Sequence, residues 1–299
     1  MKKYRLYQVD SFTKEKFCGN PAGVVANADG LTEVEMQKIA REMNNSETAF
    51  IFSAQNSDHD VRVRFFTPSC EVPICGHATI AAHYVRAVEL GLGNSKLIQK
   101  TGAGNLPVEI VKENDDYKIV MTQGQIWFQS VEQKFQKEII LALGVEESDR
   151  DEKCPIEIVS TGHSKVMIGI KSKKLLNSLN PDFVALKNLS KKIGCSGYYV
   201  FTFDSDEAEI LTHGRMFAPA IGINEDPVTG NASGCLGVYL AQHNLVKNVS
   251  SEFFFKAQQG EAIGRVGVVG VRVFSESKKP QLVQVEGGAV IVFKAEIFV

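Results

Sequence analysis

The spacing of apolar and polar positions in the first half of the chain predicts strands interrupted by two helices. Runs rich in β-branched and aromatic residues predict strands at residues 4–9, 48–52, 61–66, 108–111 and 118–121. The last two runs are joined across residues 114–116 as a predicted hairpin. A capping-box pattern at Thr32 and Glu35 predicts a helix that runs toward Asn44, and the apolar run 78–90 predicts a second.

The second half again combines predicted strands and helices, after a polar connecting segment. Residues 129–155 are polar and contain a predicted helix, 132–143, which Gly144 ends. The apolar run 234–246 mirrors 78–90, and the tail predicts strands at 266–274, 282–285 and 289–293. We therefore predict an α+β protein with two similar domains, each a mainly antiparallel sheet or barrel wrapped around a central helix.

Three pairs of similar segments suggest that the two halves of the chain have the same arrangement of helices and strands. Residues 39–52 resemble 189–202, with a helix end, a turn and a strand, at an offset of 150. Residues 64–79 resemble 215–230, and both begin Arg-x-Phe-x-Pro. A weaker third pair is 19–25 with 162–168. The repeat predicts two domains, 1–128 and 129–285, with the last strand, 286–299, as a candidate addition to the first.

The composition narrows the classes of molecule that the protein is expected to bind. The 299 residues contain 33 Lys and Arg against 35 Asp and Glu, a net charge of −2, without a basic stripe, so nucleic acid is not expected to bind. No run has the length of a signal peptide or a membrane span, so we expect a cytoplasmic protein without membrane contact.

Cysteine spacing and glycine patterns give no sign of a metal or cofactor. The six cysteines are scattered, without a C-x-x-C pair, and no two histidines have metal-ligand spacing. The glycine-rich segments 102–105 and 264–272 do not have the order of a dinucleotide site. We predict no metal and no cofactor, and we interpret most cysteines as small buried residues.

The repeat suggests where a ligand binds. If the halves are equivalent, the helix starts near Cys75 and Asp226 are expected to face each other across a cleft. Helix N-termini offer backbone N–H groups and the positive end of the helix dipole. The sequence therefore predicts a receptacle for a small organic acid.

Each polar residue near these helix starts also has an ordinary structural reading. A lone Glu47 beside Ser46 is normally a solvated strand-edge residue, although its repeat counterpart is Gly197, so the fold plan does not require a carboxylate. Asp226 before a proline is common turn chemistry, and Asn231 is a normal N-cap. His77 lies at a helix start, which disfavours a charged imidazole and favours a neutral hydrogen-bonding one.

Three sequence motifs, taken together, resemble the motifs of a known protein family. SETAF, FTPSCEVPICGHAT and EDPVTGNA, in that order and with about 150 residues between the last two, closely resemble the phenazine-biosynthesis isomerase-like (PhzF) family, whose fold is shared with diaminopimelate epimerase. The resemblance runs from YQVDSF and GNPAGVV to the helix after Asn231, and is weaker over 129–155 and the final strands.

The resemblance assigns roles to residues. It implies that Glu47 and Asp226 are the acid and base, and that His77 contacts the substrate. Diaminopimelate epimerase uses two cysteines, and this chain resembles it at Cys75 but has Asp226 in place of the second thiol. We therefore interpret Cys75 as a wall residue of the site. Asn231 stands where the phenazine enzyme has a serine, which implies a different substrate anchor.

The resulting hypothesis is a cofactor-independent isomerase that moves a proton within a small carboxylic acid, with homodimerisation implied by the family. The charge that develops is expected to be stabilised by the backbone N–H groups at both helix starts. These belong to Gly76, His77, Asn231 and Ala232.

Three alternatives remain open from the residues. An amino-acid racemase or epimerase would use Cys75, and a protein that only binds a small acid would not need the acid pair. A glycosidase would use a Glu and an Asp across a cleft, but the single tryptophan argues against sugar binding.

Overall fold

The computed structural model describes residues 1–246, 251–277 and 279–299, and the chain divides into two compact units. The first unit holds residues 1–122 and 286–299, and the second holds residues 123–285.

The helices are α1 (Glu33–Met43), α2 (Gly76–Leu90), α3 (Gln133–Leu143), α4 (Lys173–Ser178), α5 (Phe183–Ile193) and α6 (Gly230–Gln242). The strands of the first half of the chain are β1 (Lys3–Ser11), β2 (Asn20–Val25), β3 (Glu47–Ser53), β4 (Val61–Phe66), β5 (Glu71–Val72), β6 (Ser95–Thr101), β7 (Gly104–Glu113) and β8 (Asp116–Thr122). Those that follow are β9 (Ile126–Ser130), β10 (Glu157–Thr161), β11 (Ser164–Gly169), β12 (Tyr198–Thr202), β13 (Thr212–Ala218), β14 (Ile223–Asp226), β15 (Glu252–Gln259), β16 (Gly267–Glu276), β17 (Lys279–Gly287) and β18 (Ala289–Phe298).

The first unit is a mainly antiparallel sheet around α2. Its strands pair in the order β18, β1, β2, β3, β4, β6, β7 and β8, and only the β2–β3 and β4–β6 pairs are parallel. Helix α2 packs against β2, β3 and β8. Small and apolar side chains cover most of its circumference, and Ala78, Ile80 and Val85 are fully buried. A helix that is apolar on most sides is stable only inside a core.

The second unit repeats this plan around α6. Its described strands pair in the order β9, β10, β11, β12, β13, β15 and β16, and among these pairs β11–β12 and β13–β15 are again the parallel ones. Helix α6 packs against β10, β11 and β16, and its central residues are buried. The matching order of parallel and antiparallel pairs confirms the predicted use of one plan twice.

Local signals in the sequence account for many element ends. Helix α3 ends at Gly144, whose φ of 71° is the left-handed conformation that glycine favours. Asn114, at φ 56°, lies in the turn between β7 and β8, where the hairpin was predicted. The structure groups residues 123–128 with the second unit, not with the first as the sequence pattern suggested, because β9 pairs with β10.

The capping box that predicted α1 is formed. The Thr32 hydroxyl accepts a hydrogen bond from the Glu35 backbone N–H at 3.3 Å, and the Glu35 carboxylate accepts one from the Thr32 backbone N–H at 2.7 Å. We expect Thr32→Ala to lower the free energy of unfolding by about 1 kcal/mol, because the helix loses a satisfied N–H group. Urea denaturation measures this, and Thr32→Ser, which keeps the hydroxyl, is the control. An unchanged midpoint in Thr32→Ala would contradict the assignment.

Candidate functional site

The first unit gathers four of the predicted site residues, Ser46, Glu47, Cys75 and His77, into what we call the Glu47 cluster. Glu47 begins β3, and His77 is the second residue of α2. Glu47 Oε2 lies 3.4 Å from His77 Nε2, and the two side chains are only 13% and 8% exposed. A lone glutamate at a strand edge would be solvated, so this burial argues against the ordinary structural reading of Glu47.

The imidazole of His77 has a neighbour at each nitrogen. Ser46 Oγ lies 3.3 Å from Nε2, on the side of Glu47, and Cys75 Sγ lies 3.4 Å from Nδ1. If Nε2 carries the proton, it can donate to Ser46 Oγ, and Nδ1 can accept from the thiol of Cys75. The histidine thus lies between the carboxylate and the thiol.

Side chains hold the start of α2 in place from behind. Thr79 Oγ1 donates to the Cys75 carbonyl at 2.7 Å, and Ser11 Oγ donates to the His77 carbonyl at 2.8 Å. The N-cap residue, Cys75, makes no side-chain capping bond, and the first turn carries no acidic residue. A Cβ at Gly76 would meet nothing within 4 Å, so open space lies in front of the helix start. This combination fits an anionic ligand.

The second unit gathers Asp226 and Asn231 with two further residues, Thr229 and Gln259, which we call the Asp226 cluster. Asp226 is half-buried at the end of β14. Thr229 Oγ1 donates to its carboxylate, and Gln259 Nε2 donates to its backbone carbonyl at 2.7 Å. Gln259 Oε1 also accepts from the Thr229 backbone N–H at 3.1 Å. Gln259 is 1% exposed, so a rigid buried amide fixes the turn that carries the aspartate.

The similarity between residues 64–79 and 215–230, at an offset of 151, aligns Cys75 with Asp226, but the observed helix starts do not. Thr229 is the N-cap of α6, again without a side-chain capping bond, and Asn231 is the second residue of the helix. The helix starts therefore equate Cys75 with Thr229 and His77 with Asn231, whereas Asp226 lies three residues before the N-cap. Asn231 Nδ2 donates to Thr161 Oγ1 at 3.1 Å, and Ala232 is fully buried.

The counterpart of Glu47 in the second unit has no room for a side chain. A Cβ at Gly197 would lie 2.8 Å from the Phe217 carbonyl oxygen and 2.5 Å from Met216 Cε. Because a backbone oxygen cannot move aside without disturbing the β12–β13 pairing, only glycine fits. The carboxylate on this strand is thus confined to the first unit.

Among the described residues, two groups of side chains have the chemistry of metal ligands. The ligand atoms of Glu47, Cys75 and His77 lie within 4.8 Å of one another, and so do those of Asp206, Glu207 and His213. The second group already contacts a cation, since Lys173 Nζ lies 3.2 Å from Asp206 Oδ1 and 3.8 Å from Glu207 Oε1. The first group offers a thiol, an imidazole and a carboxylate to an added ion.

Sequence reasoning did not assign a role to three residues near the site. Thr229 stands inside the EDPVTGNA motif, and its hydroxyl beside Asp226 could have indicated a role at the site. Gln259 lies 33 positions after Asp226, and no local pattern links the two. Lys165 stands in the third repeat pair, where its counterpart is Ala22, and this change from alanine to lysine was a visible signal.

Comparison with known sequences gives a match over nearly the whole chain. The family described as phenazine biosynthesis-like protein (PhzC-PhzF) matches residues 9–295. An uncharacterized isomerase of Clostridium acetobutylicum is 63% identical over 298 residues, which cover 99% of both chains. A trans-2,3-dihydro-3-hydroxyanthranilate isomerase of Pseudomonas chlororaphis is 32% identical and covers 93% of this chain and 92% of its own.

Solved structures agree on the fold. A Bacillus anthracis phenazine biosynthesis protein of the PhzF family has a TM-score of 0.90 at 33% identity, with both chains covered fully. A hydroxyproline epimerase of Agrobacterium vitis has a TM-score of 0.64 at 10% identity, covers 99% of this chain and 91% of its own, and shares the fold. These matches confirm the predicted α+β, epimerase-like fold class. Among the described residues, the helices are all too short or too polar to span a bilayer.

Proposed function

The chain belongs to the phenazine biosynthesis-like (PhzC-PhzF) family and is an isomerase, and from this premise we propose that it moves a proton within a small carboxylic acid, with Glu47 and Asp226 as the acid–base pair. The observation that carries the proposal is the Glu47 cluster. A largely buried carboxylate beside a histidine is poised to exchange a proton with a bound carbon acid.

The two carboxylates differ in their surroundings, and this difference supports distinct roles. Glu47 has the imidazole of His77 beside it, whereas Asp226 accepts a hydrogen bond from the Thr229 hydroxyl. In the proposed reaction one carboxylate takes the proton from carbon while the other, in its protonated form, returns one to a different carbon.

Backbone groups at the helix starts supply the charge stabilisation. Removing a proton next to a carboxylate delocalises negative charge onto the carboxylate oxygens. The first N–H groups of α2 and α6, which include those of Gly76, His77, Asn231 and Ala232, are fixed donors for such charge. A positioned acid–base pair contributes about 10²- to 10⁴-fold in rate.

The substrate class follows from the relatives and from one residue difference. The Pseudomonas relative acts on trans-2,3-dihydro-3-hydroxyanthranilate, a cyclic carboxylate with amino and hydroxyl substituents. We propose a small carboxylate of related size for this chain, but with a different polar substituent, because Asn231 stands at the anchor position where the phenazine enzyme has serine. The longer amide reaches Thr161 and Gln123 within its own unit.

Proton exchange in D₂O tests the proposal directly. The purified protein is incubated with α-amino acids, hydroxylated cyclohexadiene carboxylates and aromatic amino acids, and proton NMR follows each C–H signal. Loss of one C–H signal with wild type but not with Glu47→Gln supports the proposal. Exchange at the α-carbon of an amino acid that survives Glu47→Gln and disappears in Cys75→Ala would replace it with a thiol-based racemase. Binding without exchange would indicate a protein that only binds acids.

Metal removal separates acid–base chemistry from metal chemistry at the Glu47 cluster. We expect exchange to be unchanged after dialysis against EDTA, because the proposed steps use only carboxylates and backbone donors. The rate is measured before dialysis, after dialysis and after Zn²⁺ is added back. Added Zn²⁺ is expected to inhibit, because it would occupy Glu47, Cys75 and His77 together. Loss of exchange on dialysis and its recovery with Zn²⁺ would contradict the metal-free mechanism.

A further inference from the structure

A buried lysine lies beside the start of α6. Lys165, the second residue of β11, is only 4% exposed. Its Nζ donates to Asn231 Oδ1 at 3.2 Å, to the Ser164 carbonyl at 3.3 Å and to the His163 carbonyl at 3.5 Å. All three acceptors are neutral oxygens at the long end of the hydrogen-bond range. Among the described residues, none forms an ion pair with this ammonium group at 4.0 Å or less.

Burial makes this arrangement costly for a charged side chain. It lowers the pKa of Lys165, and electrostatic interactions with Cys235, Asp226 and Cys195 oppose that shift. An ammonium group removed from water needs a close anion to offset its lost hydration, and neutral oxygens offset only part of it. An anionic ligand that reaches Nζ would supply the remainder.

The repeated fold places Lys165 opposite the counterpart of Glu47. In the first unit Ala22 of β2 pairs with Glu47 of β3. In the second unit Val166 of β11 pairs with Tyr198 of β12, so the preceding residue, Lys165, corresponds to Ala22 and lies opposite Gly197. Thus the first unit carries a negative side chain on β3. The second unit carries a positive side chain on β11, the strand that pairs with β12, the counterpart of β3.

The contacts of these two charged groups also correspond. Glu47 contacts His77, the second residue of α2, and Lys165 contacts Asn231, the second residue of α6. In each unit, then, an ionisable side chain reaches the first turn of the central helix. Since the proposed acid–base chemistry lies at this place in the first unit, the lysine occupies the equivalent place in the second unit.

We propose that Lys165 is a substrate-binding residue whose ammonium group donates hydrogen bonds to the carboxylate of the substrate. This inference rests on the proposed proton shift. When the C–H bond breaks, the proton passes to a carboxylate of the enzyme and the electron pair delocalises onto the substrate carboxylate. A fixed ammonium beside those oxygens stabilises the added charge, and the electrons return to carbon when the second proton is delivered.

Asn231 sets the position of the ammonium group. Its Nδ2 donates to Thr161 Oγ1 and to Gln123 Oε1, at 3.1 and 3.3 Å, which directs Oδ1 toward Lys165. The pair Lys165 and Asn231 therefore makes the carboxylate subsite a specificity element of this chain.

Matched acid and amide probes test the inference. Dissociation constants of 2-aminobenzoate and 2-aminobenzamide are measured by NMR titration with wild type, Lys165→Met, Lys165→Gln and the exposed-lysine control Lys187→Met. We expect wild type and Lys187→Met to prefer the acid by about 10-fold or more, and both Lys165 variants to lose that preference. Because Lys165→Met removes a buried ammonium group without a close anion, its unfolding temperature is expected to stay equal to that of wild type or to rise.

The outcomes separate this inference from the proposed function. No acid preference in wild type, or an undiminished preference in both Lys165 variants, overturns the inference, and Glu47-dependent exchange would then still support the proton shift. If the acid preference depends on Lys165 but Glu47→Gln exchanges as fast as wild type, the carboxylate subsite stands and the acid–base assignment fails. A lower unfolding temperature in both variants, with unchanged probe affinities, shows a purely structural lysine and overturns the inference.

Discussion

Glu47→Gln is expected to abolish proton exchange while leaving ligand binding nearly unchanged. The amide keeps the size and one hydrogen-bond acceptor of the carboxylate, so the contact with His77 Nε2 at 3.4 Å can persist. It cannot take up a proton, and we expect the exchange rate to fall by about 10³-fold or more, since removal of a catalytic base costs at least its own contribution. Single-turnover exchange in D₂O, with the dissociation constant from titration, measures both effects.

The control for this variant is Glu42→Gln on α1, an exposed glutamate in the same unit. We expect it to exchange protons at the rate of wild type. A Glu47→Gln protein that retains more than a tenth of the wild-type rate would remove Glu47 from the mechanism. A protein that loses binding as well would place Glu47 among the binding residues.

Asp226→Asn is expected to slow the reaction by about 10²- to 10⁴-fold, because it removes the second member of the acid–base pair. The side chain can still accept from the Thr229 hydroxyl through its amide oxygen, and the backbone carbonyl can still accept from Gln259. The turn should therefore keep its shape, and the unfolding temperature should change little. Rates of exchange and of product formation are measured separately.

The separate rates distinguish the roles of the two carboxylates. If Glu47 removes the proton and Asp226 returns one elsewhere, Asp226→Asn should retain exchange at the first carbon but form almost no product. Glu152→Gln, an exposed change in the same unit, is the control. Full product formation by Asp226→Asn would exclude the aspartate from proton transfer.

Much of the fold was predictable because its signals are local. The capping box at Thr32, the glycine at 144 and the turn at Asn114 each fix a conformation within a few residues. By contrast, no prediction covered β6 and β15, the strands that follow the central helices. Each forms a short parallel pair with a distant strand, β4 or β13, and a longer antiparallel pair with the strand that follows it. Their hydrophobic patterns, SKLIQKT and EFFFKAQQ, do not alternate regularly, so a short sequence window does not reveal them.

The candidate site was predictable only in part for a similar reason. Glu47, His77 and Asp226 stand in short motifs, and the structure brings Glu47 and His77 together. Gln259 and Lys165 act on the Asp226 cluster from strands that are remote in sequence, so only the folded chain shows their contacts. The alignment of the repeats also misplaced Asp226 by three residues, because α6 starts 15 residues after Arg215 whereas α2 starts 12 residues after Arg64.

The crowding at Gly197 has a consequence for the history of the protein. Gene duplication gives two equal copies, and a later exchange of roles between them requires intermediates that fold. A carboxylate at residue 197 first needs a Cβ 2.8 Å from the Phe217 carbonyl oxygen, so the first mutational step disrupts strand pairing before it offers chemistry. A single substitution at residue 197 therefore cannot give the second half the carboxylate of the first, because the β12–β13 pairing has to change as well.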